Sequence, residues 1–305
     1  MEDLVRRTSL FVPINKRDFV EKAGLRGADA IILDLEDSIP DPEKENARTL
    51  VRESVPVVAR GGADVLVRIN KDSVAEDLDA SIWPGVACIM FPKAETAEEI
   101  RELDAGISRL EGERGIPAGT IQIALLLESA LGVWNAYEVL SASKRVVTAA
   151  AGGLDFMLDL GLEPDPRLDH TVYVRQKLLL IARLTGAQSQ GTVPVRQANR
   201  DVADPRFESA LLGRKAGFRG TNLTHPAAIE AMNRGFTPQP EELRQARRVI
   251  EAYEEGLRAG IGAVGLDGQM IDLPVALRAQ RLIARAEVIA AFEARKAQAL
   301  EAARG

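Results

Sequence analysis

The feature that most constrains this chain is an alternation of patterns. Short, near-continuous apolar runs rich in β-branched residues are separated by stretches of helical periodicity. The runs are Leu10–Pro13, Ala30–Asp37, Asp64–Asn70, Ala87–Lys93, Ile121–Ser129, Val146–Gly152, Gln188–Pro194 and Gly220–Thr224. Runs apolar at consecutive positions suit parallel strands covered by helices, because both faces of such a strand are buried. The intervening segments carry helix signals. Asp41-Pro42-Glu43 reads as an N-cap, a first-position proline and a first-turn acid, with Ala47, Leu50, Val51 and Val55 on one face beyond it. Thr96 and Glu99 form a capping box ahead of Ile100, Leu103, Ile107 and Leu110. Eight such units predict a (β/α)₈ barrel over residues 1–226. The structural rival, an open doubly wound sheet, is weakened by the lack of Gly-x-Gly-x-x-Gly after the first strand.

Beyond residue 226 the pattern changes. A helix is expected from Pro238-Gln239-Pro240-Glu241-Glu242, with Leu243, Ala246, Val249, Ile250, Tyr253 and Leu257 on its apolar face and Gly260 at its end. A Gly-rich turn, Met270-Ile271-Asp272-Leu273-Pro274 and a last helix follow. Residues 227–305 therefore read as a C-terminal helical extension, either a lid or an arm docking on another subunit.

Bulk composition narrows the function. Lys and Arg total 39 against 45 Asp and Glu, a net charge of −6, with no basic run to meet a phosphate backbone, so nucleic acid is not an expected partner. The single cysteine, Cys88, lies in an apolar run and excludes a disulfide framework within one chain. No run approaches the apolar length of a membrane span, and Met1–Arg7 lack the apolar segment of a signal peptide. A soluble, cytoplasmic protein is expected.

The candidate chemistry is positional. Asp34, Glu36 and Asp37 end the second predicted strand, Arg68 the third, Lys93 the fourth and Glu128 the fifth, while Asp155 follows the sixth. In a (β/α)₈ barrel all these ends surround one mouth, where active sites form. Each has a structural reading: an ion-pair partner for Asp34, Glu36, Arg68 or Lys93, and a helix or turn cap for Glu128 or Asp155. Their coincidence at one end argues for a site, because each buried charge costs several kcal/mol without compensation. The only histidines, His170 and His225, lie elsewhere. The available ligands are carboxylates, hard oxygens that favour Mg²⁺ or Mn²⁺ over Zn²⁺. Mg²⁺ takes one or two carboxylates plus water and substrate oxygens, and Glu128 with Asp155 supply that number from neighbouring strands.

These residues sit in motifs that occur in order along almost the whole chain. They are Leu10-Phe11-Val12-Pro13, Ile32-Leu33-Asp34-Leu35-Glu36-Asp37-Ser38, Val67-Arg68-Ile69-Asn70, Phe91-Pro92-Lys93-Ala94-Glu95, Leu127-Glu128-Ser129, Gly152-Gly153-Leu154-Asp155-Phe156, His225-Pro226 and Gly268-Gln269-Met270-Ile271-Asp272-Leu273-Pro274. In this order the chain resembles the citrate lyase β-subunit-like and malyl-CoA lyase family of the HpcH/HpaI aldolase superfamily. The resemblance implies a TIM barrel, Mg²⁺, a CoA thioester substrate, a 2-keto acid partner and a homotrimer or hexamer. It implies that Glu128 and Asp155 hold the metal and that Arg68 grips substrate carboxylate. It further implies that Glu36 and Asp37 form an acidic cluster beside the metal, and that Asp272 reaches a neighbouring subunit's site as acid or base. Lys16, Lys93 and Pro92 complete the expected substrate-binding set. Three positions depart from the pattern. Leu154 replaces a common acid, the turn after Pro13 reads Ile14-Asn15-Lys16-Arg17, and Gln176 replaces a common serine.

The expected activity is cleavage or formation of a β-hydroxyacyl-CoA, such as malyl-, citramalyl- or citryl-CoA, to or from a 2-keto acid and an acyl-CoA. The alternatives are a thioesterase or a CoA-independent 2-keto acid aldolase on the same scaffold. A Schiff base on Lys93 is disfavoured by the carboxylate pair, and a non-enzymatic subunit by the intact acid set.

Overall fold

A computed structural model describes residues 4–163, 165, 168–195 and 203–303. Eight parallel strands run in the order β7-β6-β5-β4-β3-β2-β1-β8. They are β1 (Thr8–Pro13), β2 (Ala30–Asp34), β3 (Asp64–Arg68), β4 (Val86–Phe91), β5 (Gln122–Leu127), β6 (Val146–Ala151), β7 (Gln188–Gln190) and β8 (Thr221–Leu223). The two ends of the sheet meet through a parallel bridge between Gln190 and Gly220. There Gly191 N–H donates to Gly220 O at 2.7 Å and Arg219 N–H to Ser189 O at 2.9 Å. The sheet is thus a barrel, as the alternation of runs predicts.

Side-chain parity explains the near-continuous apolar runs. Ala30, Ile32, Leu66, Cys88, Met90, Ala124 and Leu126 fill the barrel interior. The alternate residues Ile31, Leu33, Val65, Val67, Ile89, Ile123, Leu125 and Leu127 face the surrounding helices. Each fully buried aliphatic side chain contributes about 1.5–3 kcal/mol. Helix Ala97–Glu113 shows the packing from the helical side. Its Thr96–Glu99 capping box forms as expected, and Ile100, Leu103, Ile107 and Leu110 are its buried stripe.

The strands stop earlier than their apolar runs, for local reasons. Asp34 turns its carboxylate back onto the N–H groups of Glu36 and Ser38, which ends β2. Asn70 gives its N–H to Asp77 Oδ2 at 2.6 Å, which takes it out of the ladder beyond β3. Pro92 has no N–H to continue β4. The cap expected at Asp41 is not made either. Asp41–Glu43 form a 3₁₀ turn, and the helix proper is Lys44–Ala59 with no side-chain cap bond.

The N-terminal end of the barrel carries buried ion pairs that periodicity did not reveal. Arg7 grips Asp29 with Nε at 2.7 Å and Nη2 at 2.8 Å, and Lys296 Nζ adds a bond from a second cation at 2.8 Å. Arg6, also buried, pairs with Asp64 at 2.8 Å and donates to Gln122 at 2.8 Å. Polar clusters at this end of a barrel serve stability rather than catalysis.

The chain divides into two compact units. One is residues 6–236 together with the C-terminal stretch from Lys296, and the other is centred on residues 237–295. The second contains helix Pro240–Arg258, an antiparallel hairpin of β9 (Val264–Leu266) and β10 (Gln269–Ile271), and most of helix Leu273–Ala302. Gln239 and Glu242 form the capping box that starts its first helix, and Gly260, at φ 77°, follows that helix's end. Ala246, Val249, Ile271 and Ala279 are its small core. The hairpin stands where sequence reading offered only a Gly-rich turn. Asp267 and Gly268 both adopt positive φ between its strands, 51° and 76°.

Candidate active site

Strand parity carries the interior of the barrel into a charged layer at its C-terminal end. Asp34 continues the inward row of Ala30 and Ile32, Arg68 that of Leu66, and Glu128 that of Ala124 and Leu126. Asp34 and Arg68 are also direct register partners across β2 and β3. Arg68 Nε and Nη2 each lie 2.7 Å from an oxygen of Asp34, a bidentate pair with both side chains buried. The remaining nitrogen, Nη1, pairs with Glu36 Oε2 at 2.7 Å and with Asp37 Oδ2 at 2.8 Å. The guanidinium also stacks on the Phe11 ring, 4.6 Å from its centroid. All three Arg68 nitrogens thus have a carboxylate partner, and of these partners Asp37 is the one with half its side chain exposed.

Lys93 follows Pro92 in the left-handed region, at φ 50°. For a residue with a side chain this costs about 1–2 kcal/mol. The turn aims its backbone N–H at Glu128 Oε2, 3.3 Å away, and its Nζ at Glu36 Oε1, 2.9 Å away. Asp155 is reached through Gly152 and Gly153, at φ 102° and 101°, conformations open to glycine alone without strain. It lies in the first turn of helix Leu154–Asp159. Its charge is felt by both Glu128 and Lys93.

Ionisation follows from this crowding. Burial, then the charges of Glu36 and Asp155, push the Glu128 carboxyl up to about 7, against the pull of Arg68 and the Lys93 N–H. Burial, with Asp37 adding to it, lifts Glu36 above the usual carboxylate range despite Arg68 and Lys93. Burial works against Asp34 too, but the Arg68 fork and the N–H of Glu36 hold it below that range. Lys93 is raised, first by its bond to Glu36. With all groups ionised, the acids Asp34, Glu36, Asp37, Glu128 and Asp155 face Arg68 and Lys93, five against two, for a formal −3. The site is short of positive charge. Among the described residues no three His, Cys, Asp or Glu side chains gather into a complete metal cage. An open cleft of about 450 Å³ adjoins the site, lined by Glu36, Asp37, Lys44, Asn70, Lys71 and Lys93, within the size range of ligand pockets.

The structure thus brings together Glu36, Asp37, Arg68, Lys93, Glu128 and Asp155. Lys16 is exposed, at the start of helix Arg17–Ala23. Asp272 belongs to the second unit, where its Oδ1 accepts the Val275 N–H at 3.2 Å at the start of the last helix. His225 caps a 3₁₀ turn by accepting the Ala227 N–H. Sequence reasoning missed two things. It did not see that Asp34 claims two of the three Arg68 nitrogens. It also missed a polar network behind the turn, in which Lys71, Glu95, Glu99 and Ser129 are linked. The Phe91–Glu95 and Leu127–Ser129 motifs held its only trace.

A model of the HpcH/HpaI aldolase/citrate lyase family matches residues 7–226, the stretch that holds every strand of the barrel. The chain belongs to this family. Among curated relatives, the citrate lyase subunit beta of Leuconostoc mesenteroides subsp. cremoris is 37% identical over 92% of each chain. The (3S)-malyl-CoA thioesterase of Cereibacter sphaeroides is 32% identical over 94% of this chain and 97% of its own. Among solved structures, protein CitE from Mycobacterium tuberculosis in complex with magnesium, acetoacetate and coenzyme A superposes with a TM-score of 0.72 at 28% identity. The alignment covers 93% of this chain and 99% of that one. The protein is an enzyme of the lyase type that this family comprises, built on its barrel. No helix among the described residues is long and apolar enough to cross a membrane.

Proposed function

We propose that the protein is a Mg²⁺-dependent carbon–carbon lyase acting on a β-hydroxyacyl-CoA, with Glu128 and Asp155 holding the metal. The observation that carries the reading is the half-buried Glu128 carboxyl, raised to about 7 by burial and by two neighbouring anions at the C-terminal end of the barrel. A dication relieves that crowding, and two carboxylates are the complement Mg²⁺ accepts while keeping positions for substrate oxygens. Mg²⁺ supplies Lewis-acid polarisation of a substrate oxygen there. The homologous CitE bound to magnesium, acetoacetate and coenzyme A supports the same cofactor and substrate class.

In cleavage a base takes the substrate's hydroxyl proton, the hydroxyl-bearing carbon becomes the keto-acid carbonyl, and the carbon–carbon bond breaks. The bond's electron pair moves into the thioester as an enolate, which then takes a proton at carbon. Arg68 meets the substrate carboxylate through Nη1, the nitrogen that Asp34 does not bind. The half-exposed Asp37 is the acceptor that substrate displaces. Lys93 keeps Glu36 in place and offsets its charge. Pro92 sets the turn, Lys16 meets the CoA phosphates, and Asp272 delivers or removes the proton at carbon in a neighbouring subunit's site. Self-association as a trimer or hexamer fits the exposed apolar residues Trp134, Tyr173, Leu180 and Leu184, with Trp134 75% exposed. Light scattering of the purified protein tests it, and a monomer at micromolar concentration rejects it.

The second reading is a thioesterase, favoured by the 32% identical (3S)-malyl-CoA thioesterase. One experiment separates the two: incubation with Mg²⁺ and malyl-, citramalyl- or citryl-CoA, with products identified by mass spectrometry. A 2-keto acid with an acyl-CoA marks the lyase. Free CoA with an intact hydroxy acid marks the thioesterase. No turnover of any of the three rejects both for these substrates.

A further inference from the structure

We propose that Lys71, which lies outside the carboxylate cluster, is a positioning residue that holds the strained turn at Lys93 and, through it, Glu128. The proposal rests on the active-site reading above. Two contacts to the site depend on the left-handed Lys93: its N–H on Glu128 and its Nζ on Glu36. Something must hold an unfavourable backbone conformation in place. Pro92, on one side, has no N–H to anchor the turn. On the other side Ala94 N–H bonds Leu126 O at 3.0 Å. The Lys93 carbonyl itself is held by Lys71 Nζ at 2.9 Å.

The Lys71 ammonium has three protons and three acceptors. Besides the Lys93 carbonyl, these are Glu95 Oε2 at 2.6 Å and Glu99 Oε1 at 2.8 Å. Its donors are all committed to the protein, which makes it a support rather than a substrate contact. The network continues from Glu95. Its other oxygen accepts from Ser129 Oγ at 2.7 Å, and its carbonyl accepts from Asn135 Nδ2 at 3.0 Å. Ser129 follows Glu128 directly and caps the next short helix by accepting the Gly132 N–H. One cation just beyond β3 therefore clamps the segment after β4 and, through Glu95, the segment after β5. Capping does not explain it, because helix Ala97–Glu113 already has its Thr96–Glu99 box. Outer groups that orient ligand-bearing segments typically change metal affinity or activity by 10–100-fold when removed.

The test compares Lys71→Met, which keeps the stem and loses the donors, with Lys71→Arg, which keeps a cation. The readouts are the Mg²⁺ dissociation constant by calorimetry without substrate, the crystal structure of each variant, and the division of any loss between kcat and KM. In Lys71→Met, Lys93 is expected to leave the left-handed region, Mg²⁺ binding to weaken about tenfold or more, and kcat to fall. Lys71→Arg is expected to recover most of each. If Lys71→Met loses thermal stability but keeps its Lys93 conformation and Mg²⁺ affinity, Lys71 is merely structural and the proposal is overturned. If Lys71→Met does not fold, Ser129→Ala cuts the same network beyond Glu95. It is expected to weaken Mg²⁺ binding in the same direction, and unchanged affinity there also overturns the proposal. Wild-type protein that binds no Mg²⁺ would defeat the active-site reading instead, while the conformation at Lys93 in the variant still decides the role of Lys71.

Discussion

Replacing Glu128 with glutamine is expected to stabilise the metal-free protein while abolishing its response to Mg²⁺. Crowded into the site, the Glu128 carboxyl titrates near 7, against 4.5 for an ordinary glutamate. Below pH 4.5 the group is protonated in the folded and unfolded chains alike and costs nothing. Between 4.5 and 7 the unfolded chain ionises it while the folded protein retains the proton, so stability falls as pH rises. Above pH 7 the whole difference is felt, which at 1.36 kcal/mol per pH unit is on the order of 3 kcal/mol. Glutamine carries no charge, and its amide oxygen can still accept from the Lys93 N–H. At roughly 2 °C per kcal/mol for a chain of this size, the Tm of Glu128→Gln in EDTA at pH 8 should exceed wild type by about 6 °C. At pH 5 the gap should shrink to under about 1 kcal/mol. Scanning calorimetry measures both. Added Mg²⁺ should reverse the order at about a thousand times Kd, where wild type gains about 4.1 kcal/mol and the variant gains little. A lower Tm for the variant at pH 8 in EDTA, or an equal gain from Mg²⁺, refutes the reasoning.

Other perturbations test the pairings separately. Arg68→Ala leaves Asp34 buried without its partner and should cost about 3–5 kcal/mol in urea unfolding as well as activity. Adding Asp34→Asn should recover much of that stability and none of the activity, and a double variant no more stable than Arg68→Ala would contradict the pairing. Asp272→Asn keeps a good helix cap, so its Tm should move by less than about 1 °C, while turnover falls on the order of 10²-fold. Full activity in Asp272→Asn removes Asp272 from the mechanism. Lys296→Met strips one cation from the buried Asp29 and should lower stability by about 3 kcal/mol without changing Mg²⁺ affinity, as chemical unfolding and calorimetry would show.

The site illustrates a conflict between stability and function. Asp34, Glu36, Asp37, Glu128 and Asp155 crowd around two cations; Asp34 is held below the usual carboxylate range, while Glu36 and Glu128 are pushed above it. Lys93 adds backbone strain at the same place. The apolar layers beneath, from Leu126 and Met90 down to Ala30, are free of such conflict. On the proposed function, the strained turn at Lys93 and the unbalanced charge meet where substrate would bind.

Much of this was legible along the chain, because it depends on near neighbours. Two-residue parity within a run determines that Asp34, Arg68 and Glu128 share a face with the residues before them. Alternation with helical stretches determines that the strand ends point the same way. A capping box such as Thr96–Glu99 spans one helical turn, so four consecutive residues reveal it. What only the tertiary structure decided is which charges pair. Arg68 and Asp34 are 34 residues apart, and Lys93 and Glu36 are 57. No periodicity links such positions; Arg68 and Asp34 meet because the adjacent strands β2 and β3 fix their register, and Lys93 reaches Glu36 with its side chain from beyond β4, past the intervening β3. The same holds for the seam at Gln190 and Gly220, and for Lys296, which reaches Asp29 from 267 residues away. Long side chains carry no local signature of their partners, since many pairings satisfy the same pattern and packing selects one.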